Sequence, residues 1–293
     1  MKKEKIKCDI AFVILQYGNE KDTENCINSI EQRLEGTRYK IVAVDNCSKD
    51  TSADMLEKFC TNRNNVVVLK NNRNIGFAQG NNVGINYVNE QYEPDFIAVI
   101  NNDIELLTDH LYECLTEDFC KYKFAVWGPM VLSGDGKYTS NPMALELFDE
   151  AGIEREIKHS KRMILINRLH LFSTYSILKK KAESSSIKEI KNRFDYLQDI
   201  KLHGCFLVFS KIYFDNYAGF DPSTFLYMEE DILQLRLKHR GLKSLYCPNF
   251  LVFHKEGATS KKLIKNNNKR MEFVFTNRLK SQNIYKKILL NEE

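Results

Sequence analysis

The feature that most constrains this chain is a recurrence: short, β-rich apolar runs that each stop abruptly on polar side chains. IAFVIL (10–15), YKIVAV (39–44), NVVVLK (65–70) and FIAVI (96–100) are four such runs, rich in the branched and aromatic residues that favour strands. Between them the apolar spacing turns helical. Cys26, Ile27, Ile30 and Leu34 share one face of a segment from Asp22 to Leu34, a second helix is entered through Ser48 to Thr51 and runs to about Phe59, and a third spans about Ala78 to Val88. This alternation predicts βαβ units: an α/β fold with a Rossmann-like, mostly parallel central sheet and helices on both faces. In such sheets the functional groups collect beyond the carboxyl ends of the strands, where strand order reverses. Leu15 runs into Gln16-Tyr17-Gly18-Asn19, Val44 into Asp45-Asn46, and Ile100 into Asn101-Asn102-Asp103, so all three polar ends should project from one edge.

After FAVWGPMVL (124–132) the alternation lapses until about residue 202. Within that gap, KRMILINRLHLFSTYSILKK (161–180) has the spacing of an amphipathic helix with basic ends. Order resumes with CFLVF (205–209), a helix from near Glu229 to a stop at Gly241, and one or two strands in SLYCPNFLVFHKEG ending at His254. The 293 residues carry no repeat and no Pro/Ser/Gly linker, so the chain is read as one principal domain over 1–260, with an insertion at about 133–202 and a basic C-terminal helical tail at 261–293.

The 43 basic and 39 acidic side chains leave a net charge of +4, too mild to argue for a polyanion. The surplus is concentrated in 154–193 and 261–293, where an anionic surface would be met; a solvated charged tail is the plainer alternative for the second stretch. Eight cysteines without a CxxC pair read as reduced thiols. The basic, then briefly apolar N-terminus is interrupted by Asp9 and reads as a first strand, not a signal peptide. With no apolar run of about 18 residues, a cytoplasmic location is expected, with contact to the inner face of the plasma membrane left open.

Several residues carry chemistry. Asp103, behind two uncharged amides, suits a divalent cation that already holds phosphate oxygens; helix capping is the competing reading. Asp45 can accept from the N3–H of a uracil or thymine flanked by Gln16 and Tyr17, or it can cap the following helix. Gly76, Gly80 and Gly84 form GxxxGxxxG, not the dinucleotide fingerprint; they serve either backbone approach to a nucleotide or close packing on the sheet, packing being preferred for Gly84. Glu229, Glu230 and Asp231 open a helix with more acid than its dipole requires, so one of them can face a cleft as a general base. His254 closes an apolar strand.

Together FVILQYGN, VAVDNCSKD, NNRNIGFAQGNNVGI, VINNDIEL, the block from HGCFLVFS to FLYMEEDILQLRLKHRG, and LVFHKEGATS resemble the family 2 glycosyltransferases of the GT-A fold. The likeness, strongest to bacterial polysaccharide enzymes of the rhamnosyl- or galactofuranosyltransferase type, covers about residues 8–132 and 203–260. It implies inverting transfer of a sugar from a nucleoside diphosphate donor, UDP- or dTDP-linked, to a hydroxyl of a cell-surface glycan or lipid-linked oligosaccharide. It also implies a nucleotide-sugar site of Gln16, Tyr17, Asp45, Asn46, Asn74, Gly76, Asn81 and Asn102. Asp103 and His254 become ligands of Mn2+ or Mg2+. Glu229 aligns with the catalytic base by counting from FLY, although Glu-Glu-Asp leaves Glu230 open, and residues 155–181 are expected to meet the acceptor or its lipid. A sugar-phosphate nucleotidyltransferase would need a basic glycine-rich loop after the first strand, which QYGNEKDTEN lacks. A non-catalytic nucleic-acid binder would need a recognisable motif in the basic segments, and none is present, so no nucleic-acid partner is expected.

Overall fold

The computed structural model describes residues 4–134, 139–143, 147–172, 193–255 and 267–291. The first half follows the alternation: β1 (Ile6–Gln16), α1 (Glu20–Arg33), β2 (Tyr39–Asp45), α2 (Ser52–Cys60), β3 (Val66–Lys70), α3 (Phe77–Gln91) and β4 (Tyr92–Asn101). These strands pair in parallel in the order β3-β2-β1-β4, so strand order reverses at β1. The register sets Gln16 opposite Asp45 and Leu15 opposite Asn101. The three polar strand ends therefore share one edge, as the alternation predicts.

β1 shows why its apolar run is unbroken. Ile10, Phe12 and Ile14 face the core under α1 and α2, while Ala11 and Val13 face the core under α3. Residues 10–14 are fully buried on both faces, which is the condition for a central parallel strand. The glycines of α3 set how closely that helix lies. A Cβ at Gly84 would stand 2.4 Å from Val13 Cγ1, and one at Gly80 would stand 2.7 Å from Leu15 Cδ1.

The second half continues through β5 (Ile104–Leu106), α4 (Leu111–Tyr122), β6 (Val126–Ser133), β7 (Thr139–Asn141), α5 (Glu150–Arg168), β8 (Leu197–Gln198) and β9 (Phe206–Ser210). It closes with α6 (Lys211–Phe214), α7 (Glu229–His239), β10 (Ser244–His254) and α8 (Asn267–Leu289). The sheet extends from β4 as β4-β9-β6-β10-β5. The long ladders are parallel, but β9 enters antiparallel to both β4 and β6, so the sheet is mixed. An apolar run such as CFLVF carries no mark of its direction. SLYCPNFLVFH is a single strand with a register shift between Cys247 and Leu251, around Pro248, which has no N–H to give the ladder.

The amphipathic helix expected over 161–180 lies elsewhere in part. α5 begins at Glu150, where the Asp149 carboxylate accepts from Gly152 N at 2.6 Å, and ends at Arg168. Ile153 and Ile157 bury its inner face ahead of the expected start, and Met163 continues that face within it. Residues 173–180 of that stretch, 256–260 of LVFHKEGATS and 261–266 of the tail lie outside the described residues. The C-terminal segment is helical over Asn267–Leu289, and over those residues the solvated-tail alternative does not hold. α8 packs on α5, with Tyr285 fully buried and its hydroxyl donating to Phe148 O at 2.9 Å. The two basic stretches coexist because acids of one face bases of the other: Glu154 with Lys286, Glu156 with Arg278, and Arg168 with Glu272. All eight cysteines are free thiols. No helix among the described residues is long and apolar enough to cross a membrane.

Candidate active site

The polar strand ends are wired to one another. Asn102 Nδ2 donates to Thr23 Oγ1 (3.1 Å), whose hydroxyl donates to Gln16 Oε1 (2.7 Å). Gln16 Nε2 donates in turn to Asp45 Oδ1 (3.1 Å), which also accepts from Ser48 Oγ. Ser48 Oγ accepts from Gly18 N at 2.7 Å, and Asp45 Oδ2 accepts from Ser48 N at 3.0 Å. Every donor in this relay faces an acceptor, which is the condition under which buried amides and a carboxylate are tolerated. Gln16, Asp45 and Asn102 are all buried. Asp45 caps the turn at Ser48 and not α2, whose N-terminal residue Ser52 donates its backbone N–H to Asp50. Tyr17 stands half-buried beside the relay.

Asn46 is saturated. Its Nδ2 reaches Asn74 Oδ1 and Gly76 O, and its Oδ1 accepts from Asn71 Nδ2 and Ile75 N, each at 3.1 Å. Asn74 Oδ1 takes Gly76 N as well. These asparagines clamp the 71–76 loop to the end of β2. Gly76 has φ +86°, and a Cβ there would fall 2.2 Å from Phe225 O. Its neighbour Phe77 donates its N–H to the same carbonyl at 2.8 Å, so the backbone approach at Gly76 is to Phe225. Asn81 is buried within α3 and donates to Phe77 O.

Asp103 and His254, far apart in sequence, meet because β10 pairs antiparallel with β5 and sets His254 opposite Ile104. His254 Nε2 lies 3.2 Å from Asp103 Oδ1, and only 9% of each side chain is exposed. A carboxylate and an imidazole so placed, on the rim where the relay ends at Asn102, form a donor set that can serve a divalent cation. His203 stacks edge-on to His254 with ring centroids 5.6 Å apart, and His203, Cys205 and His254 have ligand atoms within 4.8 Å of one another. The residue carrying His203 is tied to the rim: Asn101 N donates to Cys205 O at 2.8 Å.

The acids of α7 diverge as a helix requires. Glu230 turns to this rim, its Oε1 accepting from Gly204 N at 3.2 Å. Glu229 turns away into a small pocket with Phe220, Thr224, Leu233 and Arg236. Its Oε1 has no hydrogen-bond partner among the described residues. Burial, with the Glu230 charge adding to it, pushes Glu229 up to about 8. Asp231 is buried against Lys201 at 2.8 Å; burial pushes its carboxyl up while Lys201 pulls it down.

Ionising Glu229 costs stability progressively as pH rises from 4.5 to about 8, because the folded state holds a proton that the unfolded state has released. Glu229→Gln is therefore expected to raise unfolding free energy by roughly 1–4 kcal/mol above pH 8 and to match the parent below pH 4.5. Denaturant titrations at the two pH extremes check this; an equal effect at both would refute it.

Thr23, Ser48, Lys201, His203 and Gly204 escape the sequence reading. The HGCF block contains two of them, but only the antiparallel entry of β9 turns that block towards Asp103.

A mixed sheet whose strand-end amides, carboxylates and histidine converge at one edge is the architecture of GT-A glycosyltransferases, and solved structures agree in fold. GalNAc-T7 with UDP, GalNAc and Mn2+ superposes with a TM-score of 0.57 at 14% identity, over 84% of this chain and 44% of that one. TarS 1–349 from S. aureus in complex with UDP gives 0.53 at 13% identity, over 97% and 70%. The chain belongs to glycosyl transferase family 2, whose family model matches residues 11–185, more than half of it. Rhamnosyltransferase WbbL of Escherichia coli is 26% identical over 251 residues, 84% of this chain and 83% of WbbL. The low-salt glycan biosynthesis hexosyltransferase Agl10 of Haloferax volcanii is 25% identical over 44% of this chain, and the succinoglycan biosynthesis protein ExoO of Rhizobium meliloti is 30% identical over 50%. The matches span only 38% and 39% of the length of those two relatives.

Proposed function

We propose that this protein is an inverting, metal-dependent glycosyltransferase. It moves a sugar from a UDP- or dTDP-linked donor to a hydroxyl of a growing cell-surface glycan or lipid-linked oligosaccharide. The observation that carries the reading is the meeting of Asp103 with His254 at the rim where the Asn102–Thr23–Gln16–Asp45 relay ends. Asp45 Oδ2, with one hydrogen bond from Ser48, keeps capacity to accept from the base of the donor, and the half-buried Tyr17 follows Gln16, which Asp45 also holds. Asn46, Asn74 and Gly76 act by holding the 71–76 loop that walls this site, and Asn81 by holding the first turn of α3.

Glu230, and not Glu229, serves as the base in this reading, because it alone of the two faces the rim. Its carboxylate takes the proton of the acceptor hydroxyl as that oxygen forms a bond to the anomeric carbon. The bond from that carbon to the diphosphate oxygen breaks on the opposite face, and the electron pair leaves with the diphosphate. A divalent cation held by Asp103 and His254 would supply positive charge to the departing diphosphate.

Thermal unfolding with UDP, dTDP and GDP, with and without Mn2+, tests the reading. UDP or dTDP at about 100 times Kd should stabilise the protein by about 2.7 kcal/mol with metal present, and Asp103→Ala should abolish the metal-dependent part. No shift with any nucleotide in the presence of metal would refute it.

The lipid side of the acceptor is favoured by Leu165, Leu169 and Leu171, more than half exposed at the end of α5 beside Lys161, Arg162 and Arg168. We propose that this end of α5 rests on an anionic membrane face, within the 155–181 segment expected to meet the acceptor; residues 173–181 lie outside the described ones. Co-sedimentation with anionic liposomes should be lost when the three leucines become serine. Failure of the parent protein to pellet with anionic liposomes would remove the idea.

A further inference from the structure

A second constellation of ligating side chains lies where α4 packs on β10. Cys114 and Asp118 are one turn apart on α4 and so share a face. Cys247 meets them from β10, at the register shift that interrupts this strand, seven positions before His254. Cys114 Sγ and Cys247 Sγ are 3.6 Å apart, and Cys114 Sγ lies 3.9 Å from Asp118 Oδ2. All three ligand atoms fall within 4.8 Å of one another. Tyr196 OH, from the segment leading into β8, stands 3.6 Å from Cys247 Sγ.

Two properties separate this cluster from ordinary thiol packing, and its sulfur spacing is compatible with a shared ion. Asp118 is 5% exposed and makes no ion pair among the described residues; the indole N–H of Trp127, at 2.8 Å from Oδ2, is its strongest partner. A buried carboxylate of this kind needs a counter-charge. The sulfur spacing is that of two thiols in contact, and it also admits a shared ion where it excludes a covalent bond. Two thiolates on a tetrahedral zinc at about 2.3 Å stand about 3.8 Å apart, whereas a disulfide needs about 2.05 Å. The outer contacts are also those of a built site. The Trp127 indole orients Asp118, and the Cys247 sulfur lies within hydrogen-bonding reach of the Cys114 sulfur and the Tyr196 hydroxyl.

We propose that Cys114, Asp118 and Cys247 form a structural site for a thiophilic divalent cation, Zn2+, distinct from the Asp103–His254 pair. Two thiolates and one carboxylate select zinc over the harder magnesium or manganese. Binding releases the two thiol protons to solvent. The fourth position is left to a water, reached past the partly buried Cys114. The ion fastens α4 to the start of β10, and with them the Tyr196 segment through which the chain returns to the sheet from its insertion.

The test uses the full-length protein, reduced and stripped with a chelator, then titrated with Co2+. The parent should develop a thiolate-to-cobalt charge-transfer band that saturates at one equivalent of thiolate-bound cobalt and that Zn2+ displaces. That band should persist in Asp103→Ala and in Cys205→Ser, the thiol of the catalytic rim, and disappear in Cys114→Ser and Cys247→Ser. Asp118→Asn should weaken Zn2+ binding at least about tenfold. Absence of the band in the parent protein overturns the proposal without recourse to any variant. So does its survival in both Cys114→Ser and Cys247→Ser, or a Cys114–Cys247 disulfide found by unreduced peptide mapping of protein purified under reducing conditions.

Discussion

Glu230→Gln is expected to lower turnover by about 10²–10⁴-fold while leaving donor binding intact, and Glu229→Gln is expected to leave turnover near that of the parent. The two acids are adjacent in sequence and differ only in where a helix sends them. Glu230 reaches Gly204 beside His203, Asp103 and His254; Glu229 is enclosed with Phe220 and Arg236 and holds its proton at neutral pH. Single-turnover assays with UDP titration in parallel separate chemistry from binding. Collapse of turnover in Glu229→Gln with the nucleotide affinity unchanged would reverse the assignment.

Lys201→Met is expected to cost about 3–5 kcal/mol of stability, since it leaves Asp231 buried without its cation. The Lys201 side chain is 3% exposed and that of Asp231 12%, so water cannot replace the lost partner. The penalty should shrink as pH falls, because protonating Asp231 removes the stranded charge; this follows the upward push that burial already gives it. Lys201→Met combined with Asp231→Leu should recover much of the loss in a double-mutant cycle. Full additivity of the two substitutions would show that the pair is not coupled. Lys201 also lies two residues before His203, so its loss should loosen the 201–205 segment against α7 and lower activity beyond what unfolding explains.

The scaffold was legible in the sequence where local pattern and global fold coincide. Apolar runs buried on both faces, such as 10–14, can only be central strands, and their polar terminations fall at one edge because parallel register leaves them no other place. Gly84 was read as a packing position and Gly80 was left open between packing and nucleotide approach; a side chain at either would collide with the sheet, at Val13 or Leu15. What a linear reading misses depends on direction and on distant pairing. Nothing in CFLVF reveals that it runs antiparallel, yet that reversal is what carries His203, Gly204 and Cys205 to the rim. Counting from FLY selects Glu229, but a shift of about 100° around the helix axis separates a buried carboxyl from an accessible one. The basic C-terminal stretch looked solvated because its neutralising partners, Glu154 and Glu156, are more than a hundred positions away. That Asn46 is held by Asn71, Asn74 and the backbone of Ile75 and Gly76 cannot be seen without coordinates.

The placement of β9 beside β6 has a consequence for how such a chain can diversify. Because the two strands are antiparallel neighbours, the polypeptide that ends β6 at Ser133 comes back to open β9 at Phe206 on the same side of the molecule. Among the described residues, the connection between those points adds only the short β7 and β8 to the sheet. Its length and shape can change without re-threading the sheet, provided that the returning end still delivers Lys201 to Asp231 and Gly204 to Glu230.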